Sequence, residues 1–408
     1  MSEKFPKDWK IKPLGSFIKN IGDGGTPSTS DQSNFGGGIP WIVISDIQRE
    51  IWKTKTTLSE KGLKKSSSKL WKPQTVILST GATIGQVGIA KTKLATKQGI
   101  TGIECDDNLL PEYLYYFLKN NKHLLLSLSQ GSTIEEIRAP TLVKLNVSIP
   151  PLPEQKKIAS ILTSVDEVIE KTQSKINKLQ DLKKTTMNEL LTKGIGHTEF
   201  KDGPLGKIPK SWLVTKLKKV AKVNDGTHKT PKYITQGIPF LRVTDLKNKY
   251  PMKGNNKYIS ISEHQELIRR CKPEKGDILY SKNGTIGIPR IIDWEGDFSI
   301  FVSLALIKIN RDSNILSEYL EIYLSCEIIS QEIKNRAKQG AVTNLHLEEI
   351  REFLTIIPNI EEQKQIIKIC RSLNQNIGLQ KDKVLKLTQL KKSLTQDLLT
   401  GKVRVSVN

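Results

Sequence analysis

The sequence predicts an α+β fold. Two similar domains of mixed strands and helices are joined by two long helices, which pair as an antiparallel coiled coil with pseudo-twofold symmetry. Three observations lead there: a repeat offset by about 200 residues, a heptad pattern closing each repeat, and short β-branched runs between turn residues.

The repeat opens with Phe5-Pro6-Lys7-Asp8-Trp9, which returns as Ile208-Pro209-Lys210-Ser211-Trp212, with Leu14 and Leu217 five residues on. Gly38 to Ile47 aligns without a gap with Gly237 to Leu246. Val76-Ile77-Leu78-Ser79 leading to Thr83-Ile84-Gly85 matches Ile278-Leu279-Tyr280-Ser281 leading to Thr285-Ile286-Gly287. Leu110 to Leu114 matches Leu316 to Leu320. The two halves therefore share one fold with diverged detail.

The best match ends each half, where Pro150 to Thr192 aligns with Pro358 to Thr400. In the first, Ile158, Leu162, Val165, Ile169, Thr172, Ile176 and Leu179 step by four and three. In the second, Ile366, Cys370, Leu373, Ile377, Gln380, Val384 and Leu387 do the same. This is a heptad seam. Pro153 suits the first turn and Glu154 the positive end of the helix dipole. Asn359 with Glu362 resembles a capping box, and Gly194 and Gly401 fit C-terminal caps. About 39 residues at ~1.5 Å each give a rod of roughly 58 Å, which cannot bury its stripe alone. Pairing the two rods antiparallel would set Thr172 opposite Gln380, a polar contact suited to fixing register. The alternative is two helices each packed on its own domain.

The implied boundaries are a first domain at 1–150, a long helix at 151–193, a connector at 194–207, a second domain at 208–357, a second long helix at 358–402, and a tail at 403–408. Within the domains, Ile39 to Ile47, Thr75 to Ser79, Ile278 to Tyr280 and Leu304 to Ile309 read as strands. Leu109 to Leu128 and Ile315 to Arg336 read as helices.

Composition bounds the function. With 64 Lys and Arg against 42 Asp and Glu, the 408-residue chain carries a net charge of +22, a field suited to a polyanion. The long helices hold only a minor share of that excess, so most of it lies in the domains. Four scattered cysteines, Cys105, Cys271, Cys326 and Cys370, argue against a disulfide framework or zinc ribbon and fit a reducing cytoplasm. No apolar run approaches the ~20 residues of a membrane span, and the polar start is unlike a signal peptide. We expect a cytoplasmic protein off the membrane.

Catalytic motifs are missing. No G-x-x-x-x-G-K-[ST] or G-x-S-x-G string occurs, the Gly22-Asp23-Gly24-Gly25 stretch is followed by Pro27 rather than a helix, and the five histidines form no metal-like pair. Glu154-Gln155-Lys156 and Glu362-Gln363-Lys364 have the E-x-K spacing of metal-dependent nucleases. At a helix start, however, residues two apart do not share a face, so the nuclease reading is rejected. Neither catalytic nor metal-binding residues are expected.

Three recurring loop groups hold donors and acceptors suited to base edges. The first is Ser45, Asp46 and Arg49, against Arg242, Thr244 and Asp245. The second is Thr80 to Gly85, with Thr80 and Thr83, against Lys282, Asn283 and Thr285. The third is Gln130, Ser132 and Thr133, against Gln339, Thr343 and Asn344. Turn chemistry is an equal explanation for their glycines.

A Pro-x-x-Trp opening, an Ile-Pro-(Trp/Phe) segment ending in Asp-(Ile/Leu), a Thr-Ile-Gly loop, and Ile149-Pro150-Pro151-Leu152-Pro153-Glu154-Gln155 before a long helix together resemble the specificity subunit of Type I restriction-modification systems. The second copy departs, with Asn359 and Glu361 in place of two prolines. The resemblance implies two target-recognition domains, each reading one half of a bipartite site in double-stranded DNA, with the helices setting the spacer. It implies no catalysis by this chain and no cofactor of its own. Two methyltransferase subunits would use S-adenosylmethionine to methylate adenine, and restriction subunits would use ATP and Mg. An autonomous DNA-modifying enzyme, a structural coiled-coil adaptor and an RNA-binding protein are the rival readings, RNA being disfavoured by few aromatic residues in the loops.

Overall fold

A computed structural model describes residues 5–129, 136–248, 251–253, 255–336 and 344–406. The chain forms two compact units, one of Met1–Ser174 with Asp382–Asn408, the other of Lys175–Lys381. Each unit thus holds one mixed domain and half of each long helix. The helices run Leu152–Thr192 and Ile360–Leu399.

In the first unit, a five-stranded sheet has the order Ile18–Asp23, Ile100–Cys105, Val76–Ser79, Val87–Ala90, Glu50–Ile51. A four-stranded sheet is built around Phe35–Ile42, and a two-stranded ribbon pairs Lys10–Pro13 with Asn146–Ile149. The second unit repeats the plan. Its four-stranded sheet runs Ala221–Asp225, Leu304–Ile309, Ile278–Ser281, Pro289–Ile291, with a three-stranded sheet around Ile238–Leu241 and a ribbon of Leu213–Lys216 with Leu354–Ile357. Register repeats too: Lys10 lies opposite Ile149 as Leu213 lies opposite Ile357.

Three expected elements differ in detail. The run Ile39 to Ile47 leaves the sheet at Ile42 and turns through a 3-10 helix at Ile44–Asp46, because Asp46 caps that turn. The helical stretch from Leu109 breaks at Asn121 into Pro111–Asn120 and Lys122–Ser127, with the Asn121 amide bonded back to the Phe117 carbonyl. The stretch from Ile315 likewise divides into Ser317–Leu324 and Glu327–Arg336. A hairpin, Phe200–Gly203 with Gly206–Pro209, runs from the connector into the start of the second domain.

Each domain is welded to both helices by a shared core. In the first unit, Val76, Leu78, Ile103, Tyr113 and Leu114 pack with Ile158 and Leu162 of the first helix and Leu398 and Leu399 of the second. Asp166 and Lys391 then form an ion pair further along. Early positions of one helix meet late positions of the other, so the pair is antiparallel in this unit. In the second unit, Ile278, Tyr280, Ile307 and Tyr319 pack with Met187, Leu190 and Leu191, and with Ile366, Ile367 and Cys370, which again sets the end of the first helix against the start of the second. Every seam position named above is buried or half-buried. Thr172 is buried with its hydroxyl donating to the Val168 carbonyl at 2.6 Å, and Gln380 is half-buried in the other unit.

The helix starts are fixed by a repeated side-chain network that explains the Glu-Gln pair. Gln155 is fully buried; its amide donates to the carbonyls of Asn108 (2.8 Å) and Pro150 (2.9 Å) and accepts from Leu110 N–H (2.8 Å). Gln363 does the same with Asn314, Pro358 and Leu316, at 2.8, 2.9 and 2.8 Å. Glu154 accepts from the Trp9 indole at 3.1 Å and from Arg404, which also grips Asp8. That guanidinium holds the Asp8 carboxyl below its ordinary value. Glu362 accepts from the Trp212 indole at 2.8 Å and from Ile195 N–H, and it faces His197 at 2.9 Å. The box expected at Asn359 is half formed. Its side chain accepts from Glu362 N–H at 2.9 Å, but the Glu362 carboxylate is committed to Trp212 and His197 and does not return the bond.

Candidate nucleic-acid interface

The described members of the recurring loop groups gather around one turn in each domain. In the second, Lys282 N–H donates to the Ser303 carbonyl at 2.9 Å, and Val243 N–H donates to the Ser303 hydroxyl at 3.2 Å. Leu345 N–H reaches the Lys282 carbonyl at 2.7 Å, and Asn283 bridges Asn344. The described members of the three groups thus converge on Ser303 and its neighbours. In the first domain, Thr80 N–H reaches Gly99, Lys97 N–H reaches Ile42, and Ile137 N–H reaches Thr80. Gln130, Ser132, Thr133, Gln339 and Thr343 lie outside the described residues.

The Thr-Ile-Gly loops owe their shape to turn chemistry. Gly85 and Gly287 have φ of 91° and 87°, where a Cβ is strained. Ser79 and Ser281 brace these loops by accepting the N–H groups of Gln86 and Ile288, both at 2.8 Å. That leaves Thr83 and Thr285 exposed at the loop tips, with Ser45, Thr244 and Asn344 also exposed.

Other candidates are occupied by partners inside their own domain. Asp46 accepts from Val43 N–H at 3.2 Å, as Asp245 accepts from Arg242 N–H at 2.8 Å, so both cap their own turns. Arg242 folds back to within 3.5 Å of Asp245. Arg49 pairs with Glu170 of the first long helix at 3.4 Å. Thr80 is buried, with its hydroxyl 3.0 Å from that of Thr101, which in turn donates to Asp23 at 2.6 Å. Lys282 is buried beside Asp225 at 3.6 Å.

Sequence reasoning missed Asp23 and Asp225, which end equivalent strands beneath these loops. The signal was the repeated Asp-Gly. A Cβ on Gly24 would come within 2.3 Å of the Thr96 and Lys97 carbonyl oxygens, and one on Gly226 within 2.0 Å of that of Ile300. Close backbone approach therefore requires glycine there, which sets the preceding Asp into the loop cluster.

Among the described residues no group of His, Cys, Asp and Glu could hold a metal ion. Burial pushes the thiols of Cys105 and Cys271 up to about 12 and that of Cys326 to about 11, so none is a thiolate nucleophile at neutral pH. Glu154 and Glu362 are buried against tryptophan rather than open to a substrate. Among the described residues no helix is long and apolar enough to cross a membrane.

The family described as Type I restriction modification DNA specificity domain matches residues 6–181 and again 209–389. The Type I restriction enzyme MjaIX specificity subunit of Methanocaldococcus jannaschii is 28% identical over 98% of this chain and 95% of its own length. The EcoKI specificity subunit of Escherichia coli is 22% identical over 90% of this chain and 82% of its own. Among solved structures, a Type I restriction-modification S subunit from M. genitalium covers 97% of both chains with a TM-score of 0.58 at 17% identity. A chain from a structural study of complex assembly and conformational transition in the type I R-M system covers 98% of this chain and all of its own, with a TM-score of 0.62 at 16% identity.

Proposed function

This chain belongs to the Type I restriction-modification DNA specificity family, and from that premise we propose that each of its two domains reads one half of a bipartite, asymmetric site in double-stranded DNA. The paired helices set the unspecified spacer. The chain directs adenine methylation or restriction by its partner subunits and performs neither itself.

The observation that carries this reading is a repeated frame with divergent loop chemistry. Strand order, the Gln155 and Gln363 anchors and the serine-braced loops repeat between the units. The side chains beneath and at the loop ends do not: Thr80 stands where Lys282 does, and Ser45 where Thr244 does. A duplicated scaffold with different donors and acceptors suits two different half-sites. The charge of +22 supplies sequence-independent attraction to phosphates, which weakens as salt rises.

Two methyltransferase subunits are the partners we assign to the helices, with restriction subunits joining the complete complex in the cytoplasm. S-adenosylmethionine, ATP and Mg belong to those partners. Apolar side chains on the helices support a docking role: Leu182 and Leu379 are 51% and 60% exposed in one unit, and Leu385 and Leu390 are 62% and 57% exposed in the other. Adenine methylation mapped across the genome, with and without this gene, tests the proposal. A two-part motif should vanish with the gene; an unchanged pattern of methylated adenines contradicts it.

A further inference from the structure

Beneath the loops of the second domain lies a charge cluster built on a buried carboxylate. Asp225, only 2% exposed, ends the strand Ala221–Asp225. Its Oδ1 accepts from Arg270 Nη2 at 2.8 Å, while Oδ2 lies 3.0 Å from His228 Nε2 and 3.6 Å from the buried Lys282 ammonium. Lys282 and Asp225 balance one another, leaving the Arg270 charge in excess. The Arg270 side chain is 64% exposed, so its guanidinium faces outward from a fixed base.

The geometry points to Arg270 as a specificity-determining residue of the second domain, presented by Asp225 to a guanine in one half-site. A guanidinium carries five N–H donors in a planar fork. The 2.8 Å bond at Nη2 fixes the fork's orientation while donors remain for a further acceptor pair. Guanine offers that pair in the major groove through O6 and N7. Phosphate attraction alone would not call for this construction, because a solvated lysine provides it without desolvating a carboxylate and an ammonium. The device orients one cation rather than adding charge.

The first domain lacks it. Asp23 there bonds the Thr101 hydroxyl at 2.6 Å and accepts Ala139 N–H at 3.3 Å, and neutral Thr80 occupies the position of Lys282. The difference assigns the guanine contact to one half-site alone. This inference rests on the DNA-reading function proposed above.

Arg270→Lys in the full complex with its methyltransferase subunits is the test, read by motif mapping and by duplex binding across a salt series. Lysine keeps the charge and loses the fork. One guanine position in one half-site should relax, losing about 5- to 150-fold discrimination against other bases while the other half-site stays fixed. Asp225→Asn should relax the same position with Arg270 intact; if that variant fails to fold, the Arg270→Lys result stands alone. Arg270→Ala separates the two kinds of contact. If it lowers the salt slope by about one and leaves the motif unchanged, Arg270 touches a phosphate and the inference is overturned. An Arg270→Lys motif identical to wild type overturns it as well. Absence of any base preference in the wild-type complex would instead overturn the underlying proposal.

Discussion

Adding one helical turn to each long helix, between Ser174 and Lys175 and between Lys381 and Asp382, lengthens the spacer of the methylated site and leaves both half-sites unchanged. These are the points at which the two compact units divide. Four residues advance a helix by about 6 Å and rotate its far end by roughly 40° beyond a full turn. One base pair of B-DNA advances about 3.4 Å and turns about 34 to 36°. Distance therefore favours one or two added pairs, and rotational phase favours one. A four-residue insertion in a heptad seam is a stutter, which the pair accommodates by local unwinding. Methylation at the parental spacing should fall about 30-fold or more, because losing even two base contacts of ~1–3 kcal/mol each costs at least about 2 kcal/mol. Motif mapping of the variant decides the point, and an unchanged spacer would show that the helices do not set it.

Gln155→Ala should destabilise the first unit by roughly 3–5 kcal/mol, and Gln363→Ala the second by a similar amount. Each amide is fully buried and makes three hydrogen bonds to backbone groups on either side of the helix start. Truncation leaves one N–H and two carbonyls without partners, at about 1–3 kcal/mol for each group that water does not reach. Gln→Glu should also fail, since a carboxylate can replace the acceptor but neither donor. Lys156→Ala, at an exposed neighbour, should change stability by less than about 0.5 kcal/mol. Urea titration of these variants separates an anchoring role for glutamine from a surface role.

Features carried by local spacing and by repetition were legible in the sequence. The long helices announced themselves through seven seam positions each, and the strand runs through β-branched residues that recur at the same places in both halves. Features that depend on a distant partner were not. Nothing near Glu154 indicates that Trp9 and Arg404, 145 and 250 residues away, share its carboxylate. Arg49 resembled a base reader because it follows a turn, yet its partner is Glu170 on the helix. Conversely, Asp225 and Arg270 are 45 residues apart and fall in no motif, so only the fold joins them. The repeated Asp-Gly was the one local sign, and its meaning depends on the carbonyls that approach each glycine.

The helix starts also account for a motif that resembled chemistry. In Glu-Gln-Lys, glutamate binds the tryptophan that opens the domain, glutamine binds the loop before Pro111–Asn120 in one domain and Ser317–Leu324 in the other, and lysine faces solvent. The motif is a joint between domain and rod. That joint passes through the shared cores, where Ile158 and Leu162 pack with one domain and Ile366 and Cys370 with the other.

Replacing residues 1–149 with the equivalent domain of a relative, and mapping methylated adenines in a host carrying the partner subunits, tests the central claim most directly. If each domain is an independent reader on a common joint, one half of the motif changes while the other half and the spacer persist. A motif altered in both halves, or in neither, would contradict that division of labour.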